Sequence, residues 1–219
     1  MSKEKVEIIQ DIYEENNIVA NRVNEELNSK GVYCINVMGS PGAGKTSSLV
    51  QIIKRLQEST AYVLEGDIES DIDTILMKKL GVEAIQINTG GACHLDSLVI
   101  QNAIKGFDFK QNGILFIENI GNLVCPAEFI IGEHIKMLIS SVAEGSDKPY
   151  KYPLAFEKAD LILLNKADLK PYIDFDYDFY INGVKALNPN AVVFEVSGKT
   201  GDGFDEVVEW LNIKRNAKN

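Results

Sequence analysis

Eight consecutive residues near the start of the chain have the types and spacing that bind the phosphates of a nucleotide. The run Gly39-Ser40-Pro41-Gly42-Ala43-Gly44-Lys45-Thr46 matches G-x-x-x-x-G-K-S/T at every fixed position. Glycines in such a loop let successive backbone N–H groups converge on phosphate oxygens, and the N-terminus of the following helix adds partial positive charge. Lys45 is placed to reach the β- and γ-phosphates, and the Thr46 hydroxyl is placed to ligate Mg²⁺. We therefore predict that this run, together with Ser47, binds a nucleoside triphosphate.

A second polar run, Asn165-Lys166-Ala167-Asp168, fits the N-K-x-D pattern that recognises guanine. An ionised carboxylate only accepts hydrogen bonds, so Asp168 would accept from both N1–H and the 2-amino group of guanine. Adenine offers neither donor there and would leave a buried charge unpaired. Lys166 would lie along the face of the base, and Asn165 would tie this loop to the phosphate loop. A later run, Ser197-Gly198-Lys199, resembles the remaining guanine-contact loop, so the combination predicts GTP and GDP as ligands.

Two carboxylates come at or just after the ends of predicted strands. Asp67 follows one of these strands and Glu118 ends another. Ligands of open parallel sheets lie at the carboxyl ends of the strands, so both acids would face the same edge as Thr46. Mg²⁺ prefers oxygen ligands and retains several waters, which makes Thr46, Asp67 and Glu118 a suitable set. We assign catalysis to Lys45, Asp67 and Glu118, with Asp73 as a further candidate for orienting the attacking water.

Sulfur and imidazole side chains are concentrated in two predicted loops. Cys93 and His94 follow one strand and Cys125 follows another, so both loops would face the nucleotide edge. Two thiolates and an imidazole suit Zn²⁺ or Ni²⁺ rather than Mg²⁺. We interpret Cys34 as a core residue and His134 as a residue on a helix face. Cysteines that lack a C-x-x-C pattern are often buried and inert, so spacing alone leaves metal binding and simple burial both open.

The hydrophobic pattern predicts a sheet that would bring these residues together. Short apolar runs predict strands at residues 33–38, 61–65, 84–87, 113–118, 160–164 and 191–196. Helical periodicity predicts an amphipathic helix over the first thirty residues, ended by Gly31, and further helices at 45–57, 71–80, 95–105, 132–142, 177–187 and 204–211. This alternation indicates an α/β fold with a mostly parallel sheet and helices on both faces. We expect a single domain, with a helix over 1–31 packed on a nucleotide-binding domain over 32–219.

Charge and composition exclude several classes of function. The 219 residues include 22 Lys+Arg and 32 Asp+Glu, a net charge of −10, so no nucleic-acid partner is expected. Three cysteines cannot form a disulfide framework, which favours a reducing compartment. No apolar run approaches the roughly 20 residues of a membrane span, and the first residues do not resemble a secretory signal. We expect a cytoplasmic protein that contacts no membrane.

Longer runs of the sequence resemble the HypB family of hydrogenase maturation GTPases, the nickel incorporation proteins. The resemblance is carried by residues 32–46, Leu64-Glu65-Gly66-Asp67-Ile68, Cys93-His94-Leu95-Asp96, residues 116–129 (FIENIGNLVCPAEF), Glu144-Gly145-Ser146-Asp147-Lys148-Pro149 and residues 165–168. It covers almost the whole chain, and the run over 118–129 is far more specific than a phosphate loop.

That resemblance implies a P-loop NTPase fold of the SIMIBI class and slow hydrolysis of GTP. It implies a homodimer that forms on GTP binding, and delivery of nickel to the hydrogenase large subunit together with a HypA-type nickel chaperone. It also implies that Cys93, His94 and Cys125 bind Ni²⁺ or Zn²⁺. No Cys-rich or His-rich stretch precedes Gly31 in this sequence, so all nickel handling would pass through these three residues.

Other functions stay open on the sequence alone. A related metallochaperone GTPase for urease would carry Cys-Pro-His, whereas Cys125-Pro126 is followed here by Ala127. A GTPase that serves a cobalamin enzyme would share the same fold. A P-loop small-molecule kinase would make the N-K-x-D match a coincidence. A nucleotide-gated binding module with negligible turnover also fits, because no catalytic Gln or arginine finger is evident.

Overall fold

The fold is a parallel sheet covered by helices on both faces. A computed structural model describes the backbone of residues 3–57, 59–67 and 72–217, and the side chains of residues 13–57, 59–66 and 73–217. The strands in this part of the chain are β1 (Val32–Gly39), β2 (Thr60–Asp67), β3 (Glu83–Asn88), β4 (Gly113–Glu118), β5 (Ile135–Ser141), β6 (Leu161–Asn165) and β7 (Val192–Glu195). They form one sheet in the order β3-β2-β4-β1-β5-β6-β7, and each pairing is parallel.

The helices connect successive strands. Over the described residues they are α1 (Lys3–Ser29), α2 (Lys45–Ile53), α3 (Ile72–Lys79), α4 (Ser97–Ala103), α5 (Cys125–Glu128), α6 (Lys148–Lys151), α7 (Pro153–Lys158), α8 (Tyr177–Leu187) and α9 (Phe204–Asn216). Short 3-10 turns follow α4, β5 and β6. The predicted α/β architecture, with a parallel sheet between two helical layers, is confirmed.

Alternate residues of the strands pack against opposite helical layers. Helices α2 and α9 cover one face, where Leu49, Ile52 and Phe204 join the core. Helices α1 and α4 cover part of the other face, and α7 and α8 cover the rest. Strands covered on both faces are buried along their whole length, as in β1, β4, β5 and β6. Because the strands are parallel, their carboxyl ends meet at one edge, where the candidate site residues lie.

The second half of α1 packs against this sheet. Ala20, Val23 and Leu27 are buried at helical spacing and belong to the face that meets the core. Gly31 then adopts a left-handed φ of 67°, and a side chain at this position would collide with Gln111. The amphipathic helix predicted before Gly31 is confirmed.

The predicted helix over residues 132–142 is wrong, because this segment contains β5. Each residue of β5 is buried, including Lys136, whose ammonium pairs with Glu133 at 3.1 Å and contacts the Phe129 carbonyl at 2.5 Å. A strand covered on both faces does not alternate, so its pattern is hard to distinguish from a buried helix. His134 therefore precedes a strand rather than lying on a helix, and its Nδ1 accepts the Cys34 N–H at 2.8 Å.

Several helix ends differ from the predicted ones. Helix α2 stops at Ile53, short of residue 57. Helix α4 begins at Ser97, because the Asp96 side chain accepts the Val99 N–H and caps the helix there. Helix α9 continues to Asn216. None of the helices in the described part of the chain is long and apolar enough to cross a membrane.

Leu27→Ala should lower the free energy of unfolding by about 2–5 kcal/mol, because it leaves a cavity where α1 meets the sheet. Urea unfolding followed by circular dichroism measures the change. Ile18→Ala is the matched control on the same helix, since the Ile18 side chain is 51% exposed, and it should change stability by no more than about 0.5 kcal/mol. Equal losses in the two variants would contradict the packing of α1 through its Leu27 face.

Candidate nucleotide and metal site

The phosphate loop connects the end of β1 to the start of α2. Gly42 and Gly44 have left-handed φ angles of 75° and 97°, which lets the loop turn sharply before the helix begins at Lys45. The Lys45 ammonium lies 3.5 Å from the Gly39 carbonyl. A cleft of about 530 Å³ lies beside the loop and extends to the ends of β2 and β4. Its volume is within the usual range for small-molecule sites.

Acidic side chains line this cleft next to Thr46. The Thr46 hydroxyl lies 3.0 Å from Oδ2 of Asp73 and 3.1 Å from Oε1 of Glu118. Glu65 of β2 is the register partner of Glu118 on β4, so two buried carboxylates lie side by side. Asp67 is the last residue of β2, but its side chain lies outside the described part of the chain. The structure thus brings Asp73, Glu65 and Glu118 to the phosphate loop.

Glu118 is a buried carboxylate whose pKa is displaced. Burial raises its pKa from 4.5 to about 7, while the Lys45 ammonium opposes the shift and Glu65 adds to it. Its Oε2 is buried and makes no hydrogen bond to any described residue. The free oxygen of Glu118 and the neighbouring Thr46 hydroxyl together offer oxygen donors only, which is the donor type that Mg²⁺ prefers.

The loop after β6 is attached directly to the phosphate loop. Nδ2 of Asn165 donates to the Ala43 carbonyl at 2.9 Å, and the Lys166 ammonium donates to the Gly42 carbonyl at 2.7 Å. Lys166 has a left-handed φ of 60°, which directs its side chain back across the cleft edge. These contacts set the spacing between the phosphate loop and the candidate base site.

The loop after β7 completes this part of the site. The Ser197 hydroxyl donates to Oδ1 of Asp168 at 2.7 Å, and the Gly198 N–H donates to Oδ1 of Asn165 at 2.9 Å. Lys199 is exposed to solvent. The residues predicted to contact guanine therefore converge from two loops next to the phosphate loop.

Cys93, His94 and Cys125 also come together. The ligand atoms of the three side chains all lie within 4.8 Å of one another, and Sγ of Cys93 is 3.3 Å from Nδ1 of His94. A hydrogen bond with Cys125 raises the pKa of the Cys93 thiol, and burial lowers the pKa of His94. A lowered pKa favours the neutral imidazole, the form that binds metals. Cys34, by contrast, is fully buried in β1.

Two asparagines join this cluster to the nucleotide cleft. Asn119 lines the cleft, and its Oδ1 accepts the Leu95 N–H at 3.1 Å. Nδ2 of Asn122 donates to the Cys93 carbonyl at 3.1 Å, and the Asn122 backbone forms a bridge to Gly39 of the phosphate loop. The loop that follows β4 is therefore bonded to both halves of the site.

Three residues of the site were not predicted from the sequence, namely Glu65, Asn119 and Asn122. The rule that strand ends face the site applies to Glu65 as well as to Asp67, so the signal for Glu65 was present. The two asparagines carry no comparable signal, because an amide takes its role from whichever carbonyl or N–H lies within reach. Their hydrogen bonds to the loop of Cys93 are seen only in the folded structure.

Comparison with known proteins identifies the family. Residues 33–195 match the family model described as "CobW/HypB/UreG, nucleotide-binding domain". The hydrogenase maturation factor HypB of Rhizobium leguminosarum bv. viciae is 42% identical over 215 residues, which cover 97% of this chain and 72% of that protein. The chain belongs to the HypB family.

Two solved HypB structures have the same fold. HypB from Helicobacter pylori, solved in complex with nickel, matches with a TM-score of 0.89 at 33% identity, covering 93% of this chain and 96% of that one. HypB from Archaeoglobus fulgidus matches with a TM-score of 0.85 at 36% identity, covering 92% and 98% of the two chains. The resemblance to HypB expected from the sequence is confirmed.

Glu118→Gln should stabilise the protein free of metal and nucleotide at pH 8, and by much less at pH 5. Because the fold raises the pKa of Glu118 from 4.5 to about 7, the unfolded chain releases this proton first as the pH rises. The free energy of unfolding of the wild type therefore decreases as the pH rises through this interval, by about 3 kcal/mol in all. Urea unfolding in EDTA at both pH values measures the difference.

The control for this prediction is Glu209→Gln, which changes an exposed glutamate on α9. It should alter stability equally little at pH 5 and pH 8. A gain from Glu118→Gln that is the same at both pH values would contradict burial of the carboxylate as its cause.

Proposed function

We propose that this protein is a GTP-hydrolysing metallochaperone that delivers nickel during the maturation of a hydrogenase. The observation that carries the proposal is the meeting of Cys93, His94 and Cys125 in loops bonded to the nucleotide cleft. Two thiolates and an imidazole are a donor set for soft or borderline cations. The names of its relatives support the choice of pathway, since they are hydrogenase maturation factors and one was solved with nickel.

The base site selects GTP and GDP. The Asp168 carboxylate is oriented by the Ser197 hydroxyl and accepts hydrogen bonds from N1–H and the 2-amino group of guanine. Lys166 reaches from the base loop to the phosphate loop, so its aliphatic stem lies over the base. Asn165 holds the two loops at a fixed distance. An adenine base would leave the Asp168 charge without its donors.

Hydrolysis at this site is slow. The backbone N–H groups of the phosphate loop and the Lys45 ammonium stabilise charge on the β- and γ-phosphates. Thr46 and Glu118, together with Asp67 at the end of β2, would hold Mg²⁺, which would neutralise further charge on the phosphates, and Asp73 is placed to orient water. Among the described residues that line the cleft there is no Gln and no Arg. The described lining of the cleft therefore offers neither of the side chains that accelerate fast GTPases.

Nucleotide state and metal affinity are coupled through the loop after β4. A γ-phosphate orders loops that carry carboxylates near it, as in other switch proteins. Here such ordering would pass from Glu118 to Asn119, and from the phosphate loop to Asn122, both of which bond to the loop of Cys93. By linkage, metal binding then changes nucleotide affinity by the same factor. Loss of the γ-phosphate loosens the ligands and releases the cargo.

The metal site is completed outside the single chain. Three protein ligands leave a coordination position open, which water or a second subunit fills. A homodimer formed on GTP binding would place two such sites together. Both Ni²⁺ and Zn²⁺ accept these ligands. This role requires the hydrogenase large subunit as the recipient of nickel and a HypA-type nickel chaperone as a partner in delivery.

Asp168→Asn should weaken GTP and GDP binding about 100-fold, because the amide replaces one acceptor with a donor that faces guanine. Binding of xanthine nucleotides should improve, since their 2-oxo group accepts from that amide. Titration with fluorescent nucleotides measures both changes, with Asp174→Asn, an exposed aspartate nearby, as the control. Wild-type protein that binds ATP as tightly as GTP would contradict the guanine assignment.

Cys93→Ala should abolish high-affinity binding of Ni²⁺ and Zn²⁺ and leave GDP binding nearly unchanged, since the mutated side chain is a ligand to the metal and lies outside the cleft. Metal stoichiometry and subunit mass are measured together, with GDP and with a non-hydrolysable GTP analogue. The wild type should bind metal with different affinity in the two states and form more dimer with the analogue. Cys34→Ala, in the buried cysteine of β1, should retain metal binding. Equal metal affinity in the two nucleotide states would contradict the proposed coupling.

A further inference from the structure

One asparagine of α1 contacts both loops that carry the metal-ligating residues. Oδ1 of Asn16 accepts the Ser97 N–H at 3.1 Å, and the Asn16 carbonyl accepts the Ser97 hydroxyl at 2.8 Å. Nδ2 of Asn16 donates to the Ile130 carbonyl at 2.8 Å. Ser97 follows His94 closely in the chain, and Ile130 follows Cys125. Asn16 therefore bridges two loops that arise from different strands.

A stack of three aromatic rings joins the same segments. Tyr13 of α1 stacks on Phe129 with ring centroids 5.0 Å apart, and Phe129 stacks on His94 with centroids 4.3 Å apart and planes at 16°. The Tyr13 hydroxyl also donates to the Glu128 carboxylate in α5. Stacking on Phe129 restricts the orientation of the His94 ring, a role that hydrogen bonds from outside the ligand set play for other metal-ligating imidazoles. In this chain the ring of His94 is held by a stack that begins on α1.

Packing of α1 on the sheet does not by itself require these contacts. The helix is already anchored by its buried apolar residues, among them Val23 and Leu27. Asn24, eight residues after Asn16 and about 12 Å along the helix, makes a bond of the same kind to the Gly132 carbonyl at 3.0 Å. Asn16 differs from Asn24 because it also holds the loop of His94. This difference points to a role in the metal site.

We propose that α1 is a structural part of the metal centre. Asn16 sets the separation between the loop of Cys93 and His94 and the loop of Cys125, and the Tyr13–Phe129 stack holds the His94 ring. These are positioning residues, because none of them supplies a ligand. The inference rests on the proposed metal site and adds that its affinity is controlled from α1. A change that displaces this part of the helix weakens metal binding without altering any ligand.

The test compares Asn16→Ala and Phe129→Leu with the matched control Asn24→Ala in the full chain. Ni²⁺ and Zn²⁺ affinities are measured by competition with a chromophoric chelator, and the Ni²⁺–thiolate absorption bands report the coordination. A metal-independent readout is the capture of a trivalent arsenical, which needs two thiols close together. GDP affinity and urea stability are measured in parallel.

Asn16→Ala and Phe129→Leu should weaken Ni²⁺ binding about 10-fold or more, and Asn16→Ala should also weaken arsenical capture. GDP affinity should stay within about 2-fold of wild type, and Asn24→Ala should leave metal binding unchanged. The inference is overturned if Asn16→Ala binds metal and arsenical like wild type, or if Asn24→Ala causes the same loss. Failure of the proposed function has a different signature, in which wild type and Cys93→Ala bind metal equally.

Discussion

Residues 119–124 lie against the phosphate loop on one side and against the Cys93 loop on the other. Oδ1 of Asn119 accepts a hydrogen bond from the N–H of Leu95, which directly follows His94. Gly121 sits so close to Pro41 that a Cβ at this position would approach Pro41 Cγ to 2.8 Å. The segment is short and leads directly into Cys125, a proposed metal ligand, so a shift of its backbone toward a phosphate would also displace Cys125. The functional organisation of the molecule depends on this double contact.

The acidic composition of the chain has a local counterpart in the cleft. Glu65, Asp73 and Glu118 line the cleft beside the phosphate loop, and Lys45 is the single cation among the described residues that line this space. Carboxylates this close to the phosphate loop repel a bound polyphosphate unless a divalent cation lies between the two groups. A net charge of −10 is therefore compatible with nucleotide binding, because Lys45 and the backbone N–H groups of the phosphate loop supply positive charge at one point, to which the proposed Mg²⁺ would add. We therefore expect the nucleotide and Mg²⁺ to bind best together.

Most of the sheet and the loops of the site could be predicted from the sequence, because short buried strands and glycine-rich turns leave local patterns. The failure at β5 has a physical cause: Lys136 is buried under the carbonyl of Phe129, and a buried lysine looks like the polar face of a helix. The meeting of Cys93 and Cys125 could not be derived from spacing, since it depends on how two loops fold over one edge. The asparagine contacts were out of reach for the same reason. Motifs within one loop could be recognised in the sequence, whereas contacts between loops that are distant in the chain required the structure.

Gly44 illustrates how tightly the base loop and the phosphate loop are joined. A side chain there would collide with the Asn165 amide, the same group that donates to the Ala43 carbonyl. The two loops are therefore in direct contact, even though they are far apart in the chain. Replacing Gly44 would therefore displace the Asn165 side chain and, with it, the loop that follows β6. A substitution made in the phosphate loop would in this way also disturb the loop proposed to bind the base.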